Sequence, residues 1–364
     1  MSKHVVIIPG DDAAPEAMAP TVEILKSLVP DVTFTEFPAG EEGVKRYGSR
    51  AAFDQALREA IDHSDTTLFG STNGTTGGIN HLRWGKLTYA NVRPARWRPG
   101  FRSPLKNPDG IDFVIVRENL EDLYMGVEGD LGMLAALPVT SWLTRKPLDT
   151  TPTGKFAIKV ITEEATRRVA RFACELARKR KARGGRGKVT CTSKYNMLRV
   201  SDGLFRSVVE ATAKDYPDLR YEQFIVDDFA RRLVASPSDF DVVVMPNLYG
   251  DILSDVAAGT IGGLGLAPSG CYGDTYAYFE SVHGSAPDIA GKNIINPTAT
   301  LLSAVLMLEY LGRNDAAARL DQAITQVYGD GRALTLDQGG TASTTTFCAA
   351  VRERLRNMEE KNEN

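Results

Sequence analysis

Residues 247–255 read NLYGDILSD, and the interpretation of the whole chain starts from this stretch. The apolar run before it, 241–245, is strand-like; Pro246 and Gly250 break a strand, and residues 251–258 can wind as a helix. Asp251 and Asp255 are four residues apart, so a helix places both carboxylates on one face. A divalent metal ion between them is one explanation. An acidic helix start with a solvated second aspartate is the other, and spacing alone leaves both open.

The composition limits the classes of function that need to be considered. The chain has 364 residues, enough for about two domains. Its hydrophobic content of 43%, charged content of 24% and net charge of -3 are ordinary for a globular protein. This charge gives no reason to expect a nucleic acid or an anionic membrane as partner.

The cysteines and the apolar runs bear on where the protein works. Four cysteines are spread along the chain without a CxxC pair, which argues against a zinc site and fits a reducing compartment. The chain enters a strand at Val5 without a signal-like apolar region, and no apolar run reaches membrane-spanning length. We therefore expect a cytoplasmic protein that does not bind membranes.

Strand and helix patterns alternate along the chain, as in an α/β layer. The sequence predicts strands over ranges 5–8, 66–69, 112–116, 156–161, 188–192 and 221–226. It predicts helices over ranges 15–28, 51–62, 163–181, 201–214, 297–311, 315–327 and 344–357. The glycine-rich segment 259–273 follows a helix instead of a strand, so it is not a dinucleotide fingerprint, and the sequence has neither GxGxxG nor a P-loop. The basic stretch 178–185 is typical of a helix end, with a phosphate or nucleic-acid patch as the less favoured alternative.

Three arginines form a second group of candidate functional residues. Arg93 precedes Pro94 after a strand-like segment, Arg117 ends an apolar strand, and Arg83 lies ten residues before Arg93. Arginine at a strand end can bind a carboxylate with two parallel hydrogen bonds. For any one of them alone, a surface ion pair with a nearby acidic residue is the more ordinary explanation.

Five motifs occur in a fixed order, and together they are specific. They are IPGD at 8–11, ANVRP at 90–94, REN at 117–119 followed by Tyr124, NLYGDILSD at 247–255, and HGSAP at 283–287. In this order and spacing the chain resembles the decarboxylating β-hydroxyacid dehydrogenases, which act on isocitrate, isopropylmalate, homoisocitrate, and tartrate or D-malate. The resemblance runs from Val5 to beyond Gly340.

The resemblance implies a two-domain α/β fold that is not a Rossmann fold, with the active site in the interdomain cleft. Residues 1–98 and 259–364 would form the large, cofactor-binding domain. Residues 99–258 would form the small domain, which carries the dimer interface. The resemblance further implies a homodimer with shared active sites, in which Lys194 and Asp227 reach the site of the other subunit.

The residue roles below are those that the resemblance implies. Arg83, Arg93 and Arg117 match the arginines that bind the substrate carboxylates. Tyr124 and Lys194 match the catalytic tyrosine and lysine. The expected ligands of Mg²⁺ or Mn²⁺ are Asp227, Asp251 and Asp255. The expected contacts of NAD are His283, Gly284, Ser285, Ala286, Pro287, Asp288, Ile289 and Asn296.

The implied reaction is an NAD-dependent, metal-dependent oxidative decarboxylation of an isocitrate-like 2-hydroxy acid. Hydride leaves C2 for the nicotinamide, and the β-carboxylate is then lost as CO₂. Lys194 would help to take the hydroxyl proton, and Tyr124 would protonate the resulting carbon. Asn296 is also a good helix N-cap before Pro297, and Asp288 can equally cap a turn.

Two segments depart from the family pattern. Residues 12–16 read DAAPE where the family usually has GIGPE, and only INHL separates Gly78 from Arg83. In the family this second segment contacts the substituent at the substrate's γ position, so Asn80 and His81 are candidate substrate contacts. REN at 117–119 is isocitrate-like. The alternatives are another 3-substituted malate, such as isopropylmalate, homoisocitrate, tartrate, D-malate or a phosphonate analogue, or a non-catalytic regulatory subunit.

Overall fold

A computed structural model describes residues 2–38 and 40–363 of the chain, with residues 361–363 described by their backbone alone. Twelve strands lie within these residues, ten of them in one sheet and two in a small separate sheet. The strands are β1 (Lys3–Ile8), β2 (Val32–Glu36), β3 (Thr66–Phe69), β4 (Ala90–Arg96), β5 (Asp112–Glu118), β6 (Glu128–Asp130), β7 (Lys155–Ala157), β8 (Lys188–Ser193), β9 (Arg220–Ile225), β10 (Val242–Met245), β11 (Pro268–Tyr272) and β12 (Ala277–Ser281).

Helices follow most of the strands and cover both faces of the large sheet. They are α1 (Ala14–Leu28), α2 (Gly40–Tyr47), α3 (Arg50–Asp62), α4 (Glu163–Ala182), α5 (Ser201–Ala213), α6 (Val226–Ala235), α7 (Asn247–Ile261), α8 (Thr298–Tyr310), α9 (Asn314–Asp330) and α10 (Thr344–Glu363). Thr162 begins α4 as a side-chain cap, since its Oγ1 accepts a hydrogen bond from the backbone N–H of Ala165 at 3.3 Å. The predicted alternation of strands and helices is therefore confirmed.

The large sheet runs in the order β2-β1-β3-β12-β11-β4-β5-β10-β8-β9. Neighbouring strands are parallel in both outer parts, whereas β12, β11, β4 and β5 pair antiparallel in the middle. In the pairing of β5 with β10, Arg117 lies opposite Met245. The helix that follows β10 therefore starts beside Arg117, at the carboxyl ends of two parallel strands, where α/β sheets commonly bind ligands.

The largest hydrophobic core packs α1, α7, α8, α9 and α10 against one face of the sheet. A second core packs α4 and α5 against β5, β8 and β10. The largest core contains Val5 and Leu301 together with Phe113 and Phe229, so it draws on both parts of the predicted domain division. The division at residues 98 and 258 stays a prediction.

Three sequence predictions about local structure were wrong in their bounds. Helix α7 begins at Asn247 and passes through Gly250. A glycine is needed there because a Cβ would come within 2.5 Å of the Arg117 Cβ. The strand predicted over 156–161 is reduced to β7, whose partner β6 has only three residues. The glycine-rich segment 259–273 contains the end of α7 and strand β11, since its pairing with β4 and β12 overrides the turn propensity of glycine.

The segment between β5 and α4 exposes an unusual number of large apolar side chains. It contains β6, β7 and an isolated bridge between Thr140 and Pro147. Its exposed apolar side chains are Met125, Val127, Met133, Leu137, Val139, Trp142, Leu143, Leu148 and Ile158. We call this segment, residues 123–159, the arm. An apolar surface of this extent usually marks an interaction site.

Two further predictions concern surfaces. The basic end of α4 is held by ion pairs, with Arg178 at 2.7 Å from Asp218 and Arg180 at 2.6 Å from Asp241, which favours the helix-end interpretation. In the part of the chain that the structure covers, none of the helices combines the length and the apolar character that crossing a bilayer requires.

Candidate active site

Asp251, in the second turn of α7, collects three donors from three different elements. Its Oδ1 accepts a hydrogen bond from Arg117 on β5. The same oxygen forms an ion pair with Arg93 Nη1 on β4 at 3.2 Å. Its Oδ2 accepts a hydrogen bond from the Tyr124 hydroxyl at 2.8 Å. The structure therefore brings together four residues that the sequence analysis assigned to substrate, metal and proton transfer.

Both guanidinium groups are held by further side chains of α7. Arg117 Nε donates to Asn247 Oδ1 at 2.7 Å, and Arg93 Nη1 donates to Ser254 Oγ at 2.7 Å. Arg117 is only 2% exposed. Asn247 and Ser254 were missed as site residues, although both belong to the NLYGDILSD stretch. Their places one helical turn either side of Asp251 could have identified them.

The two aspartates of α7 differ in their electrostatic environment. Burial alone would raise the pKa of Asp251, but Arg117 and Arg93 outweigh it, and the pKa lies below its ordinary value. Burial raises the pKa of Asp255, opposed by Arg93 and reinforced by the charge of Asp251. Asp255 lies 3.7 Å from Arg93 Nη1. Asp251 is thus stabilised as an anion, whereas Asp255 still lacks a sufficient countercharge.

Tyr124 and Arg117 are also perturbed by this cluster. Burial and the hydrogen bond to Asp251 raise the pKa of Tyr124, so its hydroxyl keeps its proton at neutral pH. Burial, together with the neighbouring Arg93, lowers the pKa of Arg117 to about 10, which still leaves the guanidinium charged at neutral pH.

Arg83 lies on a short helical turn, His81–Gly85, and differs from the other two arginines. Among the described residues no carboxylate forms an ion pair with it, and its buried Nε has no hydrogen-bond partner. Glu280, near the end of β12, is the carboxylate whose charge acts on the pKa of Arg83. The charges of all three arginines in turn act on the pKa of Glu280. Glu280 was not identified from the sequence. Its only signal was an acidic residue directly before the SVHGS stretch.

Lys194 and Asp227 form a separate pair. Lys194 Nζ lies 2.5 Å from Asp227 Oδ1, and the Asp227 side chain is 66% exposed. The hydrogen bond from Lys194 lowers the pKa of Asp227. Within the described ranges, no three His, Cys, Asp or Glu side chains come close enough to hold a metal ion. A single chain thus does not assemble the predicted ligands Asp227, Asp251 and Asp255.

The residue types nevertheless fit a hard divalent cation. Asp251 and Asp255 present carboxylate oxygens from one face of α7, and carboxylate oxygens are the ligands that Mg²⁺ and Mn²⁺ prefer. The unbalanced charge of Asp255 favours a cation at this place.

The structure does not bring His81 together with the arginines. Its Nε2 lies 2.9 Å from Asp62 Oδ1 at the end of α3, and its ring packs over Gly85. The preceding residue, Asn80, is exposed. Glycines at 77 and 78 precede them, both with positive φ. In the segment before Arg83, Asp62 therefore fixes the His81 ring.

The side chains of the isocitrate-like REN motif also point into the protein. Glu118 accepts hydrogen bonds from the N–H groups of Leu120 at 2.9 Å and Glu121 at 2.8 Å, and burial raises its pKa to about 7. Asn119 donates to the carbonyl of Thr88 at 2.9 Å. These two residues shape the turn that leads to Tyr124, so their influence on the substrate is indirect.

The predicted cofactor loop is organised around residues 283–289. The carbonyl of Ser285 accepts a hydrogen bond from the N–H of Ala13, and Ala286 has a positive φ of 54°. Burial lowers the pKa of His283, whose Nε2 has no partner among the described residues. The Asp288 side chain is exposed. An unpaired imidazole nitrogen and an exposed carboxylate fit the adenosine half of a dinucleotide.

Two carboxylates, of which Asp11 is buried and Glu16 half-buried, hold the loops on either side of this site. Glu16 accepts hydrogen bonds from the N–H groups of Gly291 and Asn293, both at 2.5 Å. Asp11 accepts hydrogen bonds from the hydroxyls of Thr72 and Thr76, also at 2.5 Å. The altered stretch 12–16 therefore still serves as an anchor, because its last residue closes the cofactor loop.

Asn296 serves the fold in the way its helix-cap interpretation predicted. Its Oδ1 accepts a hydrogen bond from the N–H of Thr298 at 3.0 Å, at the start of α8. Its Nδ2 donates to Asp337 at 2.9 Å and to the Tyr328 hydroxyl at 3.3 Å. Since both amide protons are used internally, the contact of Asn296 with adenine stays a prediction.

Known proteins resemble this chain over nearly its whole length. The isocitrate/isopropylmalate dehydrogenase family matches residues 4–353. A 3-isopropylmalate/3-methylmalate dehydrogenase of Methanocaldococcus jannaschii is 42% identical over 97% of this chain and 98% of its own length. An isocitrate/homoisocitrate dehydrogenase of Thermus thermophilus is 41% identical over 98% of this chain and 100% of its own.

The fold agrees with these relatives. A crystal structure of isocitrate dehydrogenase from Methylococcus capsulatus superposes with a TM-score of 0.81 and 34% identity, covering 97% of this chain and 99% of that one. The fold and the family inferred from the five motifs are confirmed. The chain is an enzyme of the isocitrate/isopropylmalate dehydrogenase family, the decarboxylating dehydrogenases.

Proposed function

We propose that this enzyme catalyses the NAD-dependent and divalent-metal-dependent oxidative decarboxylation of an isocitrate-like 2-hydroxy acid. The observation that carries the proposal is the cluster around Asp251, where Arg93, Arg117 and Tyr124 converge, while Arg83 has no carboxylate partner in the part of the chain that the structure describes. The cluster is built for an anion that carries more than one carboxylate.

The charges of the cluster explain how it would accept such a substrate. Arg93 and Arg117 are both engaged by Asp251 before any substrate binds, whereas Asp255 lacks a sufficient countercharge. A metal ion that takes over the carboxylates of α7 would free Arg93 and Arg117 for the carboxylates of the substrate. Arg83 forms no ion pair with a carboxylate of the described residues, so it is the first candidate to bind an incoming carboxylate bidentately.

The divalent metal, held by Asp251 and Asp255 and completed by Asp227 of a second subunit, would act as a Lewis acid toward the substrate hydroxyl and carboxylate. The residues of the chain position and move protons. In this proposal Lys194 of the second subunit helps to take the hydroxyl proton, directly or through an aspartate and water. Tyr124, whose raised pKa keeps it protonated, would donate a proton to the carbon that loses CO₂.

The identity of the γ substituent is the open part of the substrate. Isocitrate is our first candidate because of the REN motif. Yet Glu118 and Asn119 are buried, and the relatives named above act on isopropylmalate, methylmalate, isocitrate or homoisocitrate. Only the four residues INHL separate Gly78 from Arg83, so a different γ group is the runner-up.

NAD is the preferred cofactor in this proposal because Asp288 is exposed in the loop that would hold the adenosine. A carboxylate there can accept hydrogen bonds from the ribose hydroxyls and repels the 2′-phosphate of NADP. The four cysteines are buried free thiols, which suits a reducing cytoplasm.

We further propose a homodimer with shared active sites. Lys194 and Asp227 pair with each other at the surface of the chain, away from the Asp251 cluster. The exposed apolar side chains of the arm require a partner surface, and a second copy of this chain is the occupant that would also complete the metal site.

A spectrophotometric screen tests the reaction. The enzyme is incubated with Mg²⁺ or Mn²⁺, NAD or NADP, and each of isocitrate, homoisocitrate, isopropylmalate, tartrate, D-malate and a phosphonate analogue, and the reduced cofactor is recorded. We expect turnover with at least one 3-substituted malate, with CO₂ released in equal amount. Absence of turnover with the whole panel, in a folded dimer, would favour a regulatory subunit.

A further inference from the structure

A buried lysine outside the described site connects two catalytic segments of the chain. Lys159, just before α4, lies with its Nζ 2.7 Å from Asp202 Oδ1 and 3.3 Å from Asp122 Oδ1. Both aspartates are 0% exposed, and the lysine side chain is 13% exposed. The ammonium also lies 4.5 Å from the centre of the Tyr249 ring. One cation therefore serves two buried carboxylates and an aromatic ring of α7.

The first carboxylate fixes the segment that carries Tyr124 and Asp251. Asp122 accepts hydrogen bonds from the N–H of Leu123 and, through its other oxygen, from the N–H of Leu248, both at 2.9 Å. Leu248 is in the first turn of α7, three residues before Asp251. Asp122 therefore joins the turn of Tyr124 to the start of the helix that holds the metal carboxylates.

The backbone of Asp122 shows that its side chain is needed at this position. Its φ of 71° and ψ of -150° belong to a region that glycine adopts readily and other residues rarely. A residue in such a conformation persists only where its surroundings hold it, and here the carboxylate supplies three polar contacts. An aspartate where glycine would fit the backbone better is the second observation for a functional role.

The second carboxylate fixes the segment that carries Lys194. Asp202, in the first turn of α5, accepts a hydrogen bond from the N–H of Lys194 at 2.7 Å. Its backbone carbonyl accepts one from the Ser193 hydroxyl at 3.2 Å. The position from which the Lys194 side chain extends is therefore set by Asp202.

We infer that Lys159 is a positioning residue that couples the two active sites of the dimer. Through Asp122 it orients Tyr124 and Asp251 in the site of its own subunit, and through Asp202 it orients Lys194, which acts in the site of the partner. The inference rests on the proposed function with shared sites. A substitution of Lys159 should thus lower the activity of both active sites.

Hybrid dimers with a single live site test this coupling. One subunit carries Lys194→Ala and the other carries Tyr124→Phe, so that the live site combines Tyr124 of the first subunit with Lys194 of the second. Lys159→Met is then placed in either subunit. We expect each placement to lower kcat of the live site by about tenfold or more, with the KM for NAD changed by less than about threefold, as for other residues that orient catalytic groups. An effect from only one placement overturns the coupling.

Two control variants distinguish positioning from a general loss of a buried ion pair. Lys188 is matched to Lys159, since it is 16% exposed and lies 2.8 Å from Glu222 and 5.6 Å from the centre of the Phe240 ring. Lys188→Met should leave kcat unchanged, and Lys159→Arg should retain most of it. A loss of kcat in Lys188→Met equal to that in Lys159→Met would assign the effect to stability and overturn the inference.

A variant at Asp122 covers the case that Lys159→Met does not fold. Asp122→Gly suits the backbone, so we expect a Tm within a few degrees of that of the unchanged protein and yet a fall in kcat of about tenfold. An undiminished kcat in this variant overturns the role of the Asp122–Lys159 contact.

Amide hydrogen exchange separates this inference from the proposed function, since it needs no substrate. In Lys159→Met, the amides of Lys194 and Leu248 should both exchange at least about tenfold faster than in Lys188→Met, because both donate to the carboxylates that lose their cation. Unchanged exchange at either amide overturns the coupling. If no substrate is turned over but both amides respond, the reaction is refuted, while the positioning of both segments by Lys159 stands. If the unmodified enzyme turns over but the hybrids do not, shared sites and with them the inference are refuted.

Discussion

Asp251 and Asp227 are expected to bind the same metal ion, yet they lie in opposite environments. Asp251 is 34% exposed and receives donors from β4, β5 and the turn of Tyr124. Asp227 is 66% exposed and has Lys194 as its ion-pair partner. The first carboxylate is fully positioned by its own chain. The second lies exposed at the surface of its own chain, apart from the first, so the two halves of the proposed site should respond differently to mutation.

The largest effect is expected at the enclosed half. Asp251→Asn removes the charge that pairs with Arg93 and Arg117 and weakens the metal site, so we expect kcat/KM to fall by about a hundredfold or more. Since two buried guanidinium groups lose their carboxylate, we also expect about 2 kcal/mol lower free energy of unfolding. Enzyme assays with added Mn²⁺ and urea unfolding measure the two effects. As a control, EDTA should abolish turnover of the unmodified enzyme and either metal should restore it; full activity in a chelated enzyme would contradict the metal assignment.

The outward half should lose activity without losing stability. Lys194→Ala in the outward half should lower kcat by about a hundredfold, the usual scale for a proton-transfer residue, and Tyr124→Phe in the enclosed half should lower kcat by a similar factor. Because the Lys194–Asp227 pair is exposed, Lys194→Ala should change the free energy of unfolding by less than about 0.5 kcal/mol.

Mixing these two inactive proteins tests whether the halves belong to different subunits. After random subunit exchange, about half of the dimers are hybrids with one live site of two, so roughly a quarter of the original activity should return. Arg231→Ala, which alters an exposed ion pair on the same helix as Asp227, is a matched control for folding and exchange. No recovery despite demonstrated exchange would show that each chain completes its own site.

A third, smaller effect concerns the cofactor loop, which is also exposed. We expect the unmodified enzyme to favour NAD over NADP by at least about tenfold in kcat/KM, since Asp288 repels a 2′-phosphate. Asp288→Lys combined with Ile289→Tyr should remove most of this preference. The ratio of kcat/KM for the two cofactors measures it, and equal use of NAD and NADP by the unmodified enzyme would refute the assignment.

The smallest effect distinguishes the two aspartates of α7 in the absence of metal. The lowered pKa of Asp251 means that its carboxylate stabilises the fold above the unfolded value of 3.8, and this contribution is lost as the pH falls through the lowered pKa. The raised pKa of Asp255 has the opposite sign, because its carboxylate costs stability as the pH rises from 3.8 through the raised pKa. Asp255→Asn should therefore be neutral or slightly stabilising in EDTA at neutral pH.

Urea unfolding of Asp255→Asn and the unmodified protein, from pH 3.8 upward, checks this sign. The advantage of the variant should appear only above the raised pKa. A loss of more than about 1 kcal/mol at neutral pH would show that Asp255 is already paired without metal.

Much of the fold and part of the site could be predicted from the sequence, because they depend on local signals. The strand Thr66–Phe69 and the start of α4 at Thr162 follow from periodicity and capping. Arg93, Arg117 and Asp251 were found through motifs, and the structure places them in contact. Their roles in catalysis, and those of Tyr124 and Lys194, stay predictions until the variants are measured.

The missed features depend on contacts between distant segments. Gly250 reads as a helix breaker, and only the packed Arg117 explains why a helix needs it. Asp122 and Lys159 have no local signal, and the signal of Glu280 is limited to its place before the SVHGS stretch, since their main partners lie far along the chain. His81 looked like a substrate contact beside Arg83, whereas Asp62 holds its ring elsewhere. A sequence pattern does not report such pairings.

The unbroken sheet has a mechanical consequence. Arg93 and Arg117 sit on β4 and β5, which remain paired from Ala90 opposite Glu118 to Arg96 opposite Asp112, at the predicted border between the two domains. If the cleft opens and closes, the movement has to flex this ribbon, and points near the axis of flexing travel least. The two arginines would then lie close to the axis of the movement. Their positions relative to the substrate carboxylates would change little while the cofactor side and the arm move relative to each other.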